Sequence, residues 1–496
     1  MPFPEFSDVQ GLLRSGYSNL TEACYLLART TNRASASAWL AGAPVTTAAQ
    51  RPVSTLLQIA LTADGMRSLG VSDQIISGFS PEFQSGIAGQ EGRSRRLGDI
   101  GVSAPSRWRW GAHLVPDVLI MLAAETGLSS WREHVLTDWF RRGFEVLEEL
   151  PTSDMHGREP FGFADGISQP QPDWDGRRHP GTSADLQYGN LIALGEFLLG
   201  YRNEYGQYTD RPLLDPGSSG AADLPAAEED PSRRDLGRNG SYLVFRELRQ
   251  DVREFWRFLE GQTGASEEAR RLAEAMVGRR MSGEPLIAGT RRIRGVSERN
   301  RAISQNGFIY DDDQRGSLCP IGAHVRRANP RTGDMPPGGR RGWVAQIDRT
   351  LNFFRSDLQD DLISASRFHR ILRRGREFGN YLTAEEAASP DAADPRSGLH
   401  FICLNANVSR QFEFIQNAWL MNSKFDGLND ESDPLNGNRE PLLSGAPTDK
   451  FGVPQPNGVV RRLAAMPQFV TVAGGGYFFL PGVRALRYLA GAAQAL

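Results

Sequence analysis

The segment Cys319-Pro-Ile-Gly-Ala-His-Val-Arg-Arg-Ala-Asn-Pro-Arg331 constrains this chain more than any other stretch. Pro320 and Pro330 bound it, restrain the backbone on both sides and remove two amide donors, so it is not expected to be a plain helix. His324 sits at its centre, with Arg326, Arg327 and Arg331 following. A neutral imidazole can hold an iron, and a guanidinium can grip a carboxylate through two parallel hydrogen bonds. A haem needs both at once: an axial nitrogen for the metal and cations for its propionates.

Composition narrows the setting. The chain has 496 residues, enough for two to four domains and a sizeable core. Its apolar share of 40 % and charged share of 23 % are those of an ordinary globular protein. The net charge of −3, with both signs spread along the sequence, provides no basic face for nucleic acid or an anionic membrane. No apolar run approaches the roughly 18 residues of a membrane span. The opening Met1-Pro-Phe-Pro-Glu-Phe lacks the basic and apolar regions of an export signal. Cys24, Cys319 and Cys403 are too few and too scattered for a disulfide framework or a zinc site and fit a reducing compartment. A cytoplasmic location is therefore expected; no residue pattern sets an oligomeric state.

Hydrophobic periodicity predicts an α+β chain. Strands are expected at residues 9–16, 55–61 and 113–122, and helices at 20–29 and 131–150. A loop-rich middle runs from 151 to about 240. A strand is expected at 241–246, then a helix with Val252, Phe255, Trp256 and Leu259 on one face. Ser266 is a candidate N-cap for a helix ending near Arg279 and Arg280. Residues 399–404 suggest a buried strand, and Phe412, Ile415 and Trp419 another amphipathic helix. Residues 426–457, polar and rich in Pro and Gly, suggest a long surface loop. Residues 469–472 and 477–480, separated by Gly474-Gly-Gly, suggest a hairpin.

Two further stretches carry chemistry. In Phe161-Gly-Phe-Ala-Asp-Gly-Ile-Ser-Gln-Pro170, Asp165-Gly166 is by itself a turn signal. Its apolar surroundings make an unpaired carboxylate expensive, and a buried Asp on a tight Gly turn is a reasonable acid–base catalyst. The run His369-Arg-Ile-Leu-Arg-Arg-Gly-Arg-Glu-Phe-Gly379 holds Arg370, Arg373, Arg374 and Arg376, mostly a solvated basic face. Leu372-Arg373-Arg374-Gly375 could still turn one guanidinium inward. The other histidines have no metal-like spacing; His156 lies closest in sequence to Asp165.

Taken together, these stretches resemble the dye-decolorising peroxidase family of haem enzymes. Gly162-Phe-Ala-Asp-Gly166 is similar to the family's GxxDG motif, and Cys319-Pro-Ile-Gly-Ala-His324 to its proximal-histidine segment. Arg373 matches the distal arginine, with Arg370 and Arg374 as alternatives. The resemblance continues through Gly240-Ser-Tyr-Leu-Val-Phe, Phe412-Glu-Phe-Ile-Gln416 and the closing Gly-Gly-Tyr-Phe-Phe-Leu-Pro, so it covers nearly the whole chain.

The resemblance implies two ferredoxin-like α+β domains with antiparallel sheets, at residues 1–238 and 239–496, the first carrying GxxDG in its loop-rich part. Haem b (iron protoporphyrin IX) would lie in the C-terminal one. His324 would hold the iron, with Glu413 or Asn405 accepting its other ring N–H. Gly166, Ile167, Ser168, Asn329, Arg326 and Arg331 would contact the haem, one of the two arginines facing a propionate. Asp165 would serve as distal acid–base and Arg373 as charge stabiliser in cleaving hydrogen peroxide, with dyes and phenolic or other aromatic reductants as electron donors. Bulky donors would be oxidised at a surface Trp or Tyr, with Trp108, Trp110, Trp256 and Tyr242 as candidates. The alternative is a non-enzymatic haem carrier on the same scaffold.

Overall fold

The structure, a computed structural model, describes residues 3–51, 53–178, 189–287, 305–310, 313–332, 365–390, 393–440, 445–455 and 458–491. Nine strands form one antiparallel sheet: β1 (Glu22–Thr30), β2 (Thr55–Leu61), β3 (Val118–Ala124), β4 (Phe144–Pro151), β5 (Ser241–Gln250), β6 (Leu372–Arg373), β7 (Arg376–Phe378), β8 (Gly398–Asn405) and β9 (Val470–Leu480). Their order is β6-β8-β5-β9-β2-β3-β1-β4, with β7 also pairing with β8. Each half of the chain supplies one β-α-β-β-α-β unit, with its first strand between its fourth and its third. The fold is thus α+β, two ferredoxin-like units side by side. They meet where Phe479 of β9 pairs with Leu61 of β2.

Most of the sheet is buried on both faces. β3 is covered along its whole length, and β5 everywhere except Arg249. Leu26, Ile59, Ile120, Val244 and Phe479 enter one core, and Leu27, Leu119, Leu243, Phe245 and Phe478 the other. Strands covered on both sides read as continuous apolar runs without alternation. That explains why residues 20–29, expected to be helical, form β1: Ala23, Leu26 and Leu27 satisfy helical spacing only because nearly every position there is apolar.

Other departures have local causes. Residues 9–16 hold a single tight turn at Gly11–Leu13. The Gln10 side chain accepts from the Ile59 amide and donates to the Ile59 carbonyl, replacing strand pairing with side-chain bonds. Residues 131–150 divide into the helices Leu128–Val135 and Asp138–Gly143, followed by edge strand β4. The helix Val252–Thr263 forms as expected, and the next, Ser266–Val277, is N-capped by Ala265 and closed by left-handed Gly278. Among the described residues no helix is long and apolar enough to cross a membrane.

The expected hairpin at Gly474-Gly-Gly is instead the interior of the unbroken strand β9. The Trp110 indole lies against this strand and donates its N–H to Glu247 at 3.0 Å. A Cβ on Gly474 would stand 2.4 Å from the indole nitrogen, so glycine here serves close packing of a ring on backbone. Gly474→Ala is expected to destabilise the chain by about 1–3 kcal/mol through overpacking. Urea unfolding followed by tryptophan fluorescence checks this.

Candidate active site

A cavity of about 260 Å³ lies against the sheet where β5, β8 and β9 contribute Arg246, Leu248, Leu399, Phe401 and Val470. Much of its wall is apolar, including Phe161, Phe163 and Ile167 from one loop and Phe412, Ile415 and Leu420 from one helix. That helix is unusually wide. The amides of Glu413 and Met421 bond carbonyls five residues back, those of Val408 and Gln416, rather than four. Such turns are rare and often mark functional sites.

His324 begins a single helical turn, His324–Ala328, inside the proline-bounded segment. Arg327 anchors the turn by donating to the carbonyls of Trp419, Asn422 and Glu431. The His324 Nδ1 lies 2.9 Å from Oδ2 of Asp433, which is wholly buried. Asp433 Oδ1 in turn accepts the amides of Leu435 and Asn436. With Nδ1 engaged, Nε2 is the nitrogen left for the cavity. Burial disfavours the imidazolium, but the Asp433 carboxylate outweighs it, and the His324 pKa is raised. Burial likewise opposes the Asp433 anion, and the His324 ring, backbone amides and Arg327 overcome it, lowering that pKa.

Asp165 also lines the cavity. Its loop is held by backbone bonds from Asp165 N to Gly157 O and from Ala164 N to Met281 O. The Glu159 carboxylate accepts the amides of Phe161 and Phe163. Gly166 has φ +76°, with open space where a Cβ would stand, so conformation rather than crowding calls for glycine there. Arg373 Nη1 donates to Asp165 Oδ1 at 3.1 Å, and its backbone N–H donates to the Gln169 side chain. Burial would raise the Asp165 pKa; the Arg373 cation, the Gly166 amide and His324 together bring it below its ordinary value. Glu159, also on the wall, is pushed up to about 7 by burial.

Most of the expected site residues therefore converge. Ile167, Ser168 and Asn329 line the cavity beside Asp165, Arg373 and His324, and Gly166 supplies the turn between them. Of the three candidate distal arginines, Arg373 is the one that bonds Asp165. Arg370 donates to Asn190, and Arg374 to the Leu12 carbonyl.

Several expectations need correction. Arg326 faces away from the cavity: its guanidinium is buried against Asp313 and the Cys319 carbonyl. Arg331 is wholly buried and donates to the carbonyls of Asn306 and Phe308, off the cavity wall. Glu413 pairs with Arg93 and the Tyr477 hydroxyl, and Asn405 is buried at the end of β8, so neither bonds His324. Asp433 lies in the stretch expected to be a surface loop, although Glu431, Ser432 and Asp433 are all buried. His156 is exposed, and Trp108, Trp110, Trp256 and Tyr242 are core residues. Sequence reasoning missed Asp433, Glu159, Arg279 and His369. His369, on the cavity wall, stacks on Phe414 with ring centres 3.6 Å apart and is pushed down to about 4 by burial.

The donor set suits one kind of metal group. A bare transition-metal ion needs three or four protein ligands, and among the described residues no such group of His, Cys, Asp and Glu gathers. One cavity-facing imidazole suffices when a macrocycle fills the equatorial positions.

Over 450 residues the chain is 30 % identical to the multifunctional dye peroxidase DyP2 of an Amycolatopsis species, covering 87 % of this chain and 82 % of that protein. It belongs to the dye-decolorising peroxidase family. No family model matches the chain. A fungal DyP-type peroxidase from Auricularia auricula-judae superposes with a TM-score of 0.71 at 25 % identity, over 99 % of this chain and 100 % of that one. A dye-decolorizing peroxidase whose heme pocket was engineered for asymmetric sulfoxidation aligns at 0.69 and 24 % identity, covering 98 % and 100 %. As a dye-decolorising peroxidase, the protein is an enzyme whose substrates are hydrogen peroxide and a reducing partner.

The pairing of His324 with Asp433 has a testable pH signature in the chain without cofactor. The raised His324 pKa adds stability fully present below its unfolded value of about 6.5 and lost as pH rises through the folded value. The lowered Asp433 pKa adds stability present above about 3.9 and lost as pH falls through its folded value. Asp433→Asn is therefore expected to cost most near pH 5, about 3–5 kcal/mol as for a broken buried pair, and less at pH 9. Urea unfolding at the two pH values checks the difference.

Proposed function

We propose that this protein is a peroxidase carrying haem b, with Asp165 as distal acid–base catalyst, Arg373 as its charge partner and His324 as the iron ligand. What supports the reading is that Asp165–Arg373 and His324–Asp433 open on one cavity. Ile167, Ser168 and Asn329 line the porphyrin-binding space, shaped by the Gly166 turn. When bound, haem supplies the redox-active iron that takes oxidising equivalents from hydrogen peroxide.

The chain's own residues handle protons and charge. Asp433 holds the Nδ1 proton of His324, fixes the tautomer and makes the ring a stronger donor through Nε2. Asp165 takes a proton from one oxygen of hydrogen peroxide and delivers it to the other, which leaves as water. Arg373 offsets the negative charge that develops on the leaving oxygen and keeps Asp165 ionised. The apolar wall limits water and strengthens both effects. Phenolic and dye-like aromatics are the reductants in this reading. A cytoplasmic setting, suggested by three buried free cysteines, belongs to it too. A haem carrier would need neither Asp165 nor Arg373.

Variants separate these roles. His324→Ala is expected to lose the Soret signature of an imidazole-bound iron. Asp165→Asn should keep that signature while its reaction with peroxide slows by about 10²–10⁴-fold, read by stopped-flow absorbance. Because Arg373 holds the Asp165 pKa low, the base stays ionised in acid, where an imidazole base of pKa ~6.5 would be protonated. Turnover should therefore persist at acid pH, where an imidazole base would have lost it. A rate limited by deprotonation of a group near 6.5 would remove Asp165 from the role.

A further inference from the structure

Glu159 is a carboxyl of the cavity wall to which the peroxide chemistry above gives no task. It is half-buried there and meets three N–H groups: the Phe163 amide at Oε1, and at Oε2 the Phe161 amide and the Gln250 side chain, the last at 2.7 Å. Its backbone closes the same loop, the amide donating to the Phe163 carbonyl and the carbonyl accepting from Gly162. No cation among the described residues pairs with its carboxyl. The nearby guanidinium groups are committed elsewhere: Arg158 to the Gly162 carbonyl, Arg246 to Asp99, Arg279 to the Gly283 and Gln305 carbonyls, and Arg373 to Asp165. The other titratable groups coupled to it are Asp165 on its own loop, Glu377 on β7, and His324. Two of these three are carboxyls, and each makes a negative charge on Glu159 costlier.

Gln250 suits either state of this carboxyl. Its Nε2 donates to Glu159, while its Oε1 is buried without a hydrogen-bond partner. A half-turn of the carboxamide exchanges the two ends, so the side chain that donates to an anion can accept from a neutral acid. Burial without a counter-charge favours the neutral acid, in line with the rise to about 7. With a proton on Glu159, Asp165 and Arg373 remain a balanced pair. Without it, a second anion sits near that pair and opposes the negative charge that develops on the leaving oxygen.

We propose that Glu159 sets the charge of the cavity for the peroxide step: it carries a proton shared with Gln250 in the working enzyme, and releasing that proton to solvent slows the step. This rests on the peroxidase reading above. Glu159 acts through Asp165 and Arg373 rather than on peroxide, so it is a positioning residue. The two carboxyls then shape opposite limbs of the pH profile. Ionisation of Asp165 makes the base and raises the rate with pH; ionisation of Glu159 lowers it at higher pH.

The test follows the reaction of the full-length, haem-loaded protein with hydrogen peroxide by stopped-flow absorbance from pH 4 to 9. Wild type should react about tenfold faster at pH 5 than at pH 8, a difference of about 1.4 kcal/mol in barrier. Glu159→Gln, fixed in the neutral state, should bring that ratio below about twofold; taking the ratio within one variant cancels a general loosening of the loop. Gln250→Leu removes the donor that favours the anion, so the midpoint of the fall should move to higher pH. A second readout needs no cofactor. A folded pKa above the unfolded value of about 4.3 gives stability present below 4.3 and lost as pH rises through the folded value. Between pH 5 and 8 the unfolding constant of wild type should therefore rise about ten- to a hundredfold relative to Glu159→Gln, measured in urea. A flat wild-type rate over that range, a Glu159→Gln variant that keeps the fall, or equal pH dependence of unfolding would overturn the proposal. If Glu159→Gln does not fold, Gln250→Leu decides, and an unmoved midpoint overturns it. If haem-loaded wild type does not react with peroxide at any pH, the peroxidase reading fails and this inference with it.

Discussion

A wholly buried carboxylate 2.9 Å from an imidazole nitrogen sets the terms for the rest of the cavity. Asp433 is stable there because three hydrogen-bond donors and one cation surround it: the His324 ring, the amides of Leu435 and Asn436, and the nearby Arg327. Arg439 closes the outer side by donating to the Asp433 and Pro434 carbonyls. This cage turns a polar loop into a fixed support and aims the second ring nitrogen of His324 at the cavity. A histidine without such a partner could rotate or change tautomer.

The opposite pair solves a different problem. Asp165 is held charged in a largely apolar cavity, where burial favours the neutral acid. Arg373 reverses that balance from the short strand β6, whose pairing with β8 fixes the position of the guanidinium. Glu159 shows the contrast: among the described residues it is bonded by two amides and the Gln250 side chain and pairs with no cation, and burial raises its pKa to about 7. Two carboxyl groups on one wall are thus driven apart in acidity by a single arginine. Such separation lets one site hold a base and an acid at the same pH.

The two ferredoxin-like units contribute unequally. The C-terminal unit supplies the sheet face, the wide helix, His324 and Asp433, whereas the N-terminal part of the chain reaches over with the loop that carries Asp165. Bonds between Ser168 and Asn306, and between Ala164 and Met281, hold that loop against the C-terminal side. The chemistry therefore depends on contacts far apart in sequence, and a mutation in this loop would act on a cavity built largely by the other half.

What the sequence determined by itself was local: a proline-bounded histidine, an Asp-Gly turn between aromatics, an arginine run and strand-forming apolar stretches. Each is legible because its chemistry is contained within about ten residues. The helix Val252–Thr263 was readable for the same reason, since its periodicity repeats every turn. Strand β1 was not, because burial on both faces erases the alternation that distinguishes a strand from a helix. Tertiary structure alone decided that Asp433 supports His324 and that Arg373 rather than its neighbours faces Asp165. Asp433 carries the turn chemistry of any surface loop, and 109 residues separate it from His324. Ionic pairing depends on distance in space, and only the folded chain sets that distance.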